Sequence, residues 1–402
     1  MSVPGRRVRI RVVAAAAAAL ALLIGCAGPS TVVDRALEQA SVATTVDPVG
    51  TTQNAAPAEP DPRGGEQPVQ PTVTASAPAP QPADRAAPDE AAGFTIAFAG
   101  DVNFSERTAD RLAADPRTAF GVAAPGLAVA DLTVVNLETA ITTGGEPEPK
   151  SYTFRAPPSA FTALEAAGID VASMANNHGA DYGSVGLQDT LAAIGAAQFP
   201  VIGIGADEAA ALAPFRTTID GTDVAIFAAS AVHDHTLATW TATSTDPGIA
   251  SAFDPRLAEA VRGAAAAGST VIVFLHWGTE YDSCPDGDQE QLATELAGAG
   301  AAAVIGTHAH VLQGAGWRSD GVYVAYGLSN YLWWRSFGNE QDDNGVLTLT
   351  FQGTRVTAAS FAPSHLDDTG VPVPAVGSVA DRINADWERV RECTDLTSTP
   401  PG

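Results

Sequence analysis

Basic residues are scarce in this chain of 402 residues. Lysine and arginine total 21 against 46 aspartates and glutamates, a formal charge of −25, and Lys150 is the sole lysine. Phosphate backbones are held by clustered basic side chains, so the composition argues against nucleic acid as a partner. The same acidity repels acidic polymers and anionic headgroups at long range. Cysteine is nearly absent as well: Cys26, Cys284 and Cys393 complete the set. No Cys-x-x-Cys redox motif and no cysteine-based zinc site can be built from them. Long apolar runs are also missing. The longest, Val12 to Ile24, is short for a membrane span, and neither a second transmembrane segment nor an internal repeat follows.

What is present begins at the N-terminus. Arg6, Arg7, Arg9 and Arg11 precede the apolar stretch, which ends in Leu23-Ile24-Gly25-Cys26. Basic flank, apolar core and small residue before cysteine, in that order, resemble a bacterial lipobox; the alternative is an ordinary secretion signal with an incidental cysteine. The expected processing removes residues 1–25 and leaves Cys26 as a lipidated first residue. It takes the formal charge to −29 (17 basic against 46 acidic residues). Lipid rather than a basic patch then holds the protein on the outer side of the bacterial cell membrane. Outside the cytoplasm Cys284 and Cys393 can pair in one disulfide or stay free thiols. Residues 26–92 are rich in Pro, Ala, Thr and Gln, as in Ala77-Pro78-Ala79-Pro80-Gln81-Pro82. Such a segment buries too little apolar surface to offset its ordering entropy and reads as a disordered tether.

From Gly93 strands alternate with helices. Strand-like runs are Phe94–Ala99, Leu132–Val135, Ile169–Met174, Val201–Ile204, Asp223–Ala228, Thr270–Leu275, Ala301–Ile305 and Val322–Tyr326. Helical spacing occupies Ser105–Ala114, Ser159–Ala167, Ser184–Ala197, Pro255–Ala267 and Gln289–Ala299, and Val346–Phe351 with Arg355–Phe361 reads as a hairpin. The alternation predicts an α/β domain over 93–367 with two sheets packed together and helices outside. A C-terminal tail, 368–402, holds a possible helix from Val379 to Arg391.

Five of these strands end in residues able to hold a metal: Asp101-Val102-Asn103, Asn136-Leu137-Glu138, Asn177-His178, His276, and His308-Ala309-His310. Ligands bind at the carboxyl ends of strands in open α/β sheets, so neighbouring strands would bring these tips together. In an extended segment His308 and His310 would face one side. Carboxylates, neutral imidazoles and amide oxygens suit one or two divalent ions such as Mn, Fe or Zn, and a two-metal site generates a nucleophile at neutral pH. Each piece alone is common in loops and turns. Four of the seven histidines fall in the set, which makes chance a poor account of it.

The motifs also carry a resemblance. Phe98-Ala99-Gly100-Asp101-Val102-Asn103, Val135-Asn136-Leu137-Glu138-Thr139, Asn176-Asn177-His178-Gly179, Leu275-His276-Trp277-Gly278, Gly306-Thr307-His308-Ala309-His310 and Gly327-Leu328-Ser329-Asn330-Tyr331 resemble the CapA/PgsA-type capsule-synthesis family, which is associated with poly-γ-glutamate. That family is similar to calcineurin-like metallophosphoesterases. The resemblance implies a four-layer αββα sandwich of the metallophosphoesterase type. It implies that Asp101, Glu138 and His310 hold one ion, that Glu138, Asn177, His276 and His308 hold another, and that His178 is the general acid. Asn103 stands where the superfamily has His and Glu138 where it has Asp. An amide is the weaker ligand, so a single ion would sit nearer His308.

Lys150 and Arg155 are candidate substrate-binding cations for a carboxylate or phosphate, and Glu280 a carboxylate that orients His276. His233-Asp234-His235 reads as a loop, and Trp333-Trp334 as core packing or the wall of a groove. Two functions follow. One is a metal-dependent, phosphoesterase-like hydrolase or transferase acting on a phosphoester or on a capsule-type envelope polymer. The other is a non-catalytic component that binds or exports the polymer beside other capsule-synthesis membrane proteins. For the anchor, mass spectrometry of the N-terminal peptide of the membrane-extracted protein is expected to show a lipid-modified Cys26; any other start removes the lipoprotein reading.

Overall fold

The structure, a computed structural model, describes residues 93–402. The signal peptide of 1–25 and the tether of 26–92 lie outside the described residues. Two sheets carry the domain. The first has eight strands and runs Pro372–Pro374, Arg355–Leu366, Asp343–Gln352, Phe94–Val102, Leu132–Leu137, Val171–Ser173 and Val201–Ile202, with Asn330–Leu332 also paired to Phe94–Val102. The second has six and runs Ala315–Trp317, Tyr323–Ala325, Ala303–Thr307, Thr270–His276, Thr222–Ser230 and Phe215–Ile219. The central strands of each sheet are parallel, so their carboxyl ends lie along one edge.

The continuous apolar runs reflect burial on both faces, as expected of parallel strands covered on each side. The side-chain period of two then divides each strand between two cores. In Thr270–His276, Ile272 and Phe274 enter the core shared with the first sheet, while Val271, Val273 and Leu275 meet the outer helices. Thr222–Ser230 divides likewise, with Val224, Ile226 and Ala228 inward and Ala225, Phe227 and Ala229 outward. Phe98 of the first sheet stacks on Phe274 of the second at 6.3 Å. Helices Pro255–Ala266 and Gly287–Ala299 cover the second sheet through Leu257, Val261, Leu292 and Leu296. Helices Glu106–Ala114, Ser159–Ala167 and Gly183–Ala197 pack on the first through Leu112, Phe161, Leu164 and Leu187. The result is the four-layer αββα sandwich.

The chain beyond 367 adds to this unit. Pro372–Pro374 extends the first sheet, and helix Gly377–Val390 lays Trp387 flat on Phe361 at 4.2 Å. Cys284 and Cys393 are joined by a disulfide with their Cα atoms 5.4 Å apart, and Thr397 bonds backbone to backbone with Trp317. A proline-rich composition hides these contacts, because they are made to residues far off in sequence.

Gly100 is the point at which the first sheet turns toward function. The register between Phe94–Val102 and Leu132–Leu137 shifts by one position between Phe98 and Asp101. A bulge of one residue reverses side-chain parity, and so puts Asp101 on the intersheet face with Phe98. The bulge brings a foreign backbone close: a Cβ on Gly100 would lie 1.8 Å from the Ser329 carbonyl oxygen. Gly100→Ala is therefore expected to destabilise the domain by about 3 kcal/mol and to weaken divalent-metal uptake with it. Urea unfolding and metal analysis of the variant check both.

Candidate metal centre

Strand parity delivers the first ligands. His276 shares the inward face of Ile272 and Phe274 and is 1% exposed. The Gly100 bulge turns Asp101 inward, and Glu138 follows the Leu132–Leu137 strand with its amide donating to Val102 O at 2.8 Å. Both carboxylates are fully buried.

The His308-Ala309-His310 segment departs from the extended expectation. The strand ends at Thr307, and His308 and His310 adopt φ of 94° and 55°. Left-handed backbone at non-glycine residues costs about 1–3 kcal/mol each and concentrates at functional sites. The imidazoles still converge, because the segment wraps the Asp101 carboxylate: the His308 amide lies 3.3 Å from Asp101 Oδ2. His308 Nδ1 is 3.1 Å from His276 Nε2, and Asn177 Oδ1 is 2.9 Å from the same nitrogen. His310 Nδ1 is 3.4 Å from Asp101 Oδ2.

Glu138 lies at the middle. Its Oε1 has no hydrogen-bond partner among the described residues. Around it stand His178 Nε2 at 3.7 Å, His276 Nε2 at 3.9 Å and His310 Nε2 at 4.0 Å. These separations are too long for hydrogen bonds, and those to His276 and His310 suit donors that share a cation at bond lengths of about 2.0–2.2 Å. Asn103 Oδ1 is likewise buried and unpartnered, while its amide nitrogen donates to Glu138 O at 2.9 Å. The residues present thus fit one or two divalent ions. Asp101, Glu138 and His276 form one close group, and Glu280, His308 and His310 another.

Comparison with known proteins identifies the family. Residues 95–333 match the family described as bacterial capsule synthesis protein PGA_cap. The chain belongs to that family. Curated relatives include capsule biosynthesis protein CapA of Bacillus anthracis, 30% identical over 52% of this chain and 54% of that protein. PGA biosynthesis protein CapA of Bacillus subtilis is 27% identical over 62% and 66% respectively. A probable polyglutamine synthesis accessory protein of Mycobacterium tuberculosis is 31% identical over 52% and 59%. The chain therefore spans between half and two thirds of these relatives. Among solved structures, a phosphatase of Mycoplasma pneumoniae is 12% identical with a TM-score of 0.43, covering 69% of this chain and 95% of that one. A Haemophilus influenzae NAD nucleotidase is 13% identical with a TM-score of 0.40, covering 77% and 58%.

In this PGA_cap domain an inner shell of amides sets the ligands. Asn136 donates to Asp101 Oδ1 at 2.8 Å and lies 3.2 Å from His276 Nδ1. Asn176 donates to Asn136 Oδ1 and to Leu137 O, both at 2.9 Å, and accepts from the His178 amide at 3.0 Å. Asn330 Oδ1 lies 2.8 Å from His310 Nδ1, which leaves Nε2 of that ring as the free donor. His178 Nδ1 lies 2.5 Å from Asp181 Oδ2, and its ring packs on Phe154 at 4.3 Å. These amides and Asp181 had no assigned role in the sequence. The signal available was position: Asn136 and Asn176 precede assigned residues by one or two places, and Asp181 lies three after His178.

Electrostatics fits the same reading. Burial, with the Asp101 carboxylate beside it, raises the Glu138 carboxyl well above its usual range. Burial lowers His178. Burial followed by crowding from other imidazoles lowers His276 and His308 well below 6.5. These two rings are thus neutral, the form that binds metals.

Several candidates fall elsewhere. Glu280 joins His308 and His310 rather than His276, whose ring is held by Thr307 Oγ1 at 3.0 Å, Asn136 and Asn177. The turn after His276, with Tyr281 at φ 66°, carries Glu280 past its own strand. Lys150 is not a free cation. It reaches Asp181 at 2.8 Å, Thr236 at 3.1 Å and the Asn177 carbonyl. Arg155 is exposed, with its guanidinium 4.6 Å over the Tyr182 ring. His233 pairs with Asp288, Asp234 caps helix His235–Trp240, and His235 pairs with Glu148.

A pH dependence follows. A cation competes with the proton on Glu138, so metal stabilisation is present above the raised Glu138 pKa and is lost as pH falls through it. The difference in melting temperature between metal-loaded and chelator-treated chain is expected to shrink from pH 8 to pH 5, and Glu138→Gln to flatten that trend. A difference that does not vary with pH in the native chain would contradict the assignment.

Proposed function

We propose that this chain is a lipid-anchored, metal-dependent hydrolase or transferase of the cell envelope that acts in the biogenesis of a glutamate polymer. The observation that carries the reading is Glu138 Oε1, buried without a partner and ringed by nitrogens of His178, His276 and His310. Membership of the PGA_cap family and the capsule and PGA biosynthesis roles named for the Bacillus relatives support the pathway class. The Cys26 lipobox supports the location.

Asp101, Glu138, His276, His308, His310 and Asn177, with Asn103, would hold the ion or ions. When bound, a divalent ion supplies Lewis-acid polarisation and a nucleophile at neutral pH. His178 supplies the proton. Asp181 fixes its Nδ1, so Nε2 faces the centre and, when protonated, donates to the leaving group. Lys150 holds Asp181 from the other side. Phe154 and Trp333, packed on His178 and His310 at 4.3 and 4.8 Å, keep bulk water off the two rings.

One observation favours a non-catalytic, polymer-guiding role. Asn103 occupies the place of a histidine ligand and spends its amide nitrogen on Glu138 O. Assay of the full chain, loaded with Mn, Fe or Zn, on phosphoester and γ-glutamyl substrates separates the two. His178→Ala is expected to lower kcat about 10²–10⁴-fold while bound metal is unchanged. No turnover in the native chain under any loading would leave the guiding role. Metal-dependent turnover that survives His178→Ala would remove His178 as the acid.

A further inference from the structure

With Lys150 and Arg155 engaged elsewhere, the centre needs another group to hold an anionic substrate. We propose that Arg335, framed by Tyr152, Trp334 and Phe337, is the subsite that binds the substrate's anionic group beside the metal centre. The inference rests on the reaction class proposed above and names the substrate feature it selects.

The frame is aromatic on several sides. The guanidinium carbon lies 4.3 Å from the Phe337 ring centre, 4.7 Å from Trp334 and 5.8 Å from Tyr152. Arg256, Arg318, Arg382, Arg389 and Arg391 pair with carboxylates. Arg335 is in no such pair among the described residues, and its Nε is buried without an acceptor. Other described arginines, Arg111 and Arg355 among them, also lie outside the ion pairs, but among the described arginines Arg335 alone has a side-chain nitrogen buried without an acceptor. The rings cover the faces of the planar fork; its edge, with the Tyr281 hydroxyl beside it, carries the N–H groups that bind carboxylate or phosphate oxygens in pairs. Trp334 Nε1, also buried and unpartnered, is a second unused donor in the same cluster.

The frame adjoins the metal centre through two chains of ring contacts. Tyr152 stacks near Phe154 at 6.4 Å, and Phe154 packs on His178. Phe337 meets Tyr281 at 6.4 Å, and Tyr281 lies 6.0 Å from His310. Tyr152 and Tyr281 are 51% and 44% exposed, so the frame opens to solvent where a polymer could enter. A ligand held here meets an apolar wall and one fixed cation. That selects chains with an acidic group spaced from the reacting bond over neutral ones.

Carboxylate and phosphate share this chemistry, and the test separates them. Tryptophan fluorescence of the full chain, both chelator-treated and zinc-supplied, is titrated with glutarate, methyl phosphate and the neutral glutaramide. The expected result is saturable binding of at least one anion, weakened about 10-fold or more in Arg335→Gln and recovered only in part by Arg335→Lys, with no saturable binding of glutaramide. The anion that loses more identifies the substrate group. Equal affinity of native and Arg335→Gln chains for both anions, or equal binding of glutaramide, would overturn the subsite. Cooperative melting of each variant separates lost binding from lost folding. On a turned-over anionic substrate, Arg335→Gln should raise KM and largely spare kcat, the reverse of His178→Ala. A chain with no turnover defeats the reaction class, while the titration still decides the subsite.

Discussion

Two carboxylates, Asp101 and Glu138, are buried side by side at the seam of two sheets, and much of the domain is arranged around that fact. Like charges in a low-dielectric site repel strongly and carry a desolvation penalty besides. The surroundings answer with donors of limited charge: Asn136 on Asp101, the His308 amide on Asp101, and imidazoles that burial keeps neutral. None of these cancels the charge, and Glu138 is pushed toward its protonated form. A divalent cation between them would relieve the repulsion and engage the imidazoles at once.

The architecture makes that burial possible. Parallel strands covered on both faces end together, and their side-chain parity directs His276 into the seam. The first sheet would direct Asp101 away from it without the one-residue bulge at Gly100. The second would carry His308 and His310 onward in extended form without their two left-handed residues. Each sheet therefore contributes to the centre through a local irregularity. Strain of this kind persists only where the surroundings over-determine it. Here they do so through Ser329, whose carbonyl accepts from the Asp101 amide at 3.0 Å, and through Asn330 on His310.

Around the centre, charge is distributed sparingly. Lys150 is spent behind His178, where it anchors Asp181 and caps the Asn177 carbonyl. Its contacts fix Asp181 and, through it, the His178 ring. Arg335 is treated in the opposite way, stacked among rings and kept clear of acids. On the proposed subsite, one oriented guanidinium in an apolar frame would select an anion without a broad basic field.

The alternation of strand and helix, and with it the layered α/β domain, was legible along the chain. So were the strand tips that carry Asp101, Glu138, Asn177, His178, His276, His308 and His310. Those features are local: apolar period, turn residues and ligand-type side chains next to them in the chain. Tertiary structure alone decided the partners. That Glu280 stands with His308 and His310, that Lys150 faces Asp181, that Asn330 holds His310 and that Cys284 joins Cys393 depend on contacts between distant segments, which no local period encodes. The two histidines that most plainly marked the site show the division well. Their identity was legible from the chain, but their convergence came from left-handed backbone around a buried carboxylate, not from the extended alternation that the spacing predicted.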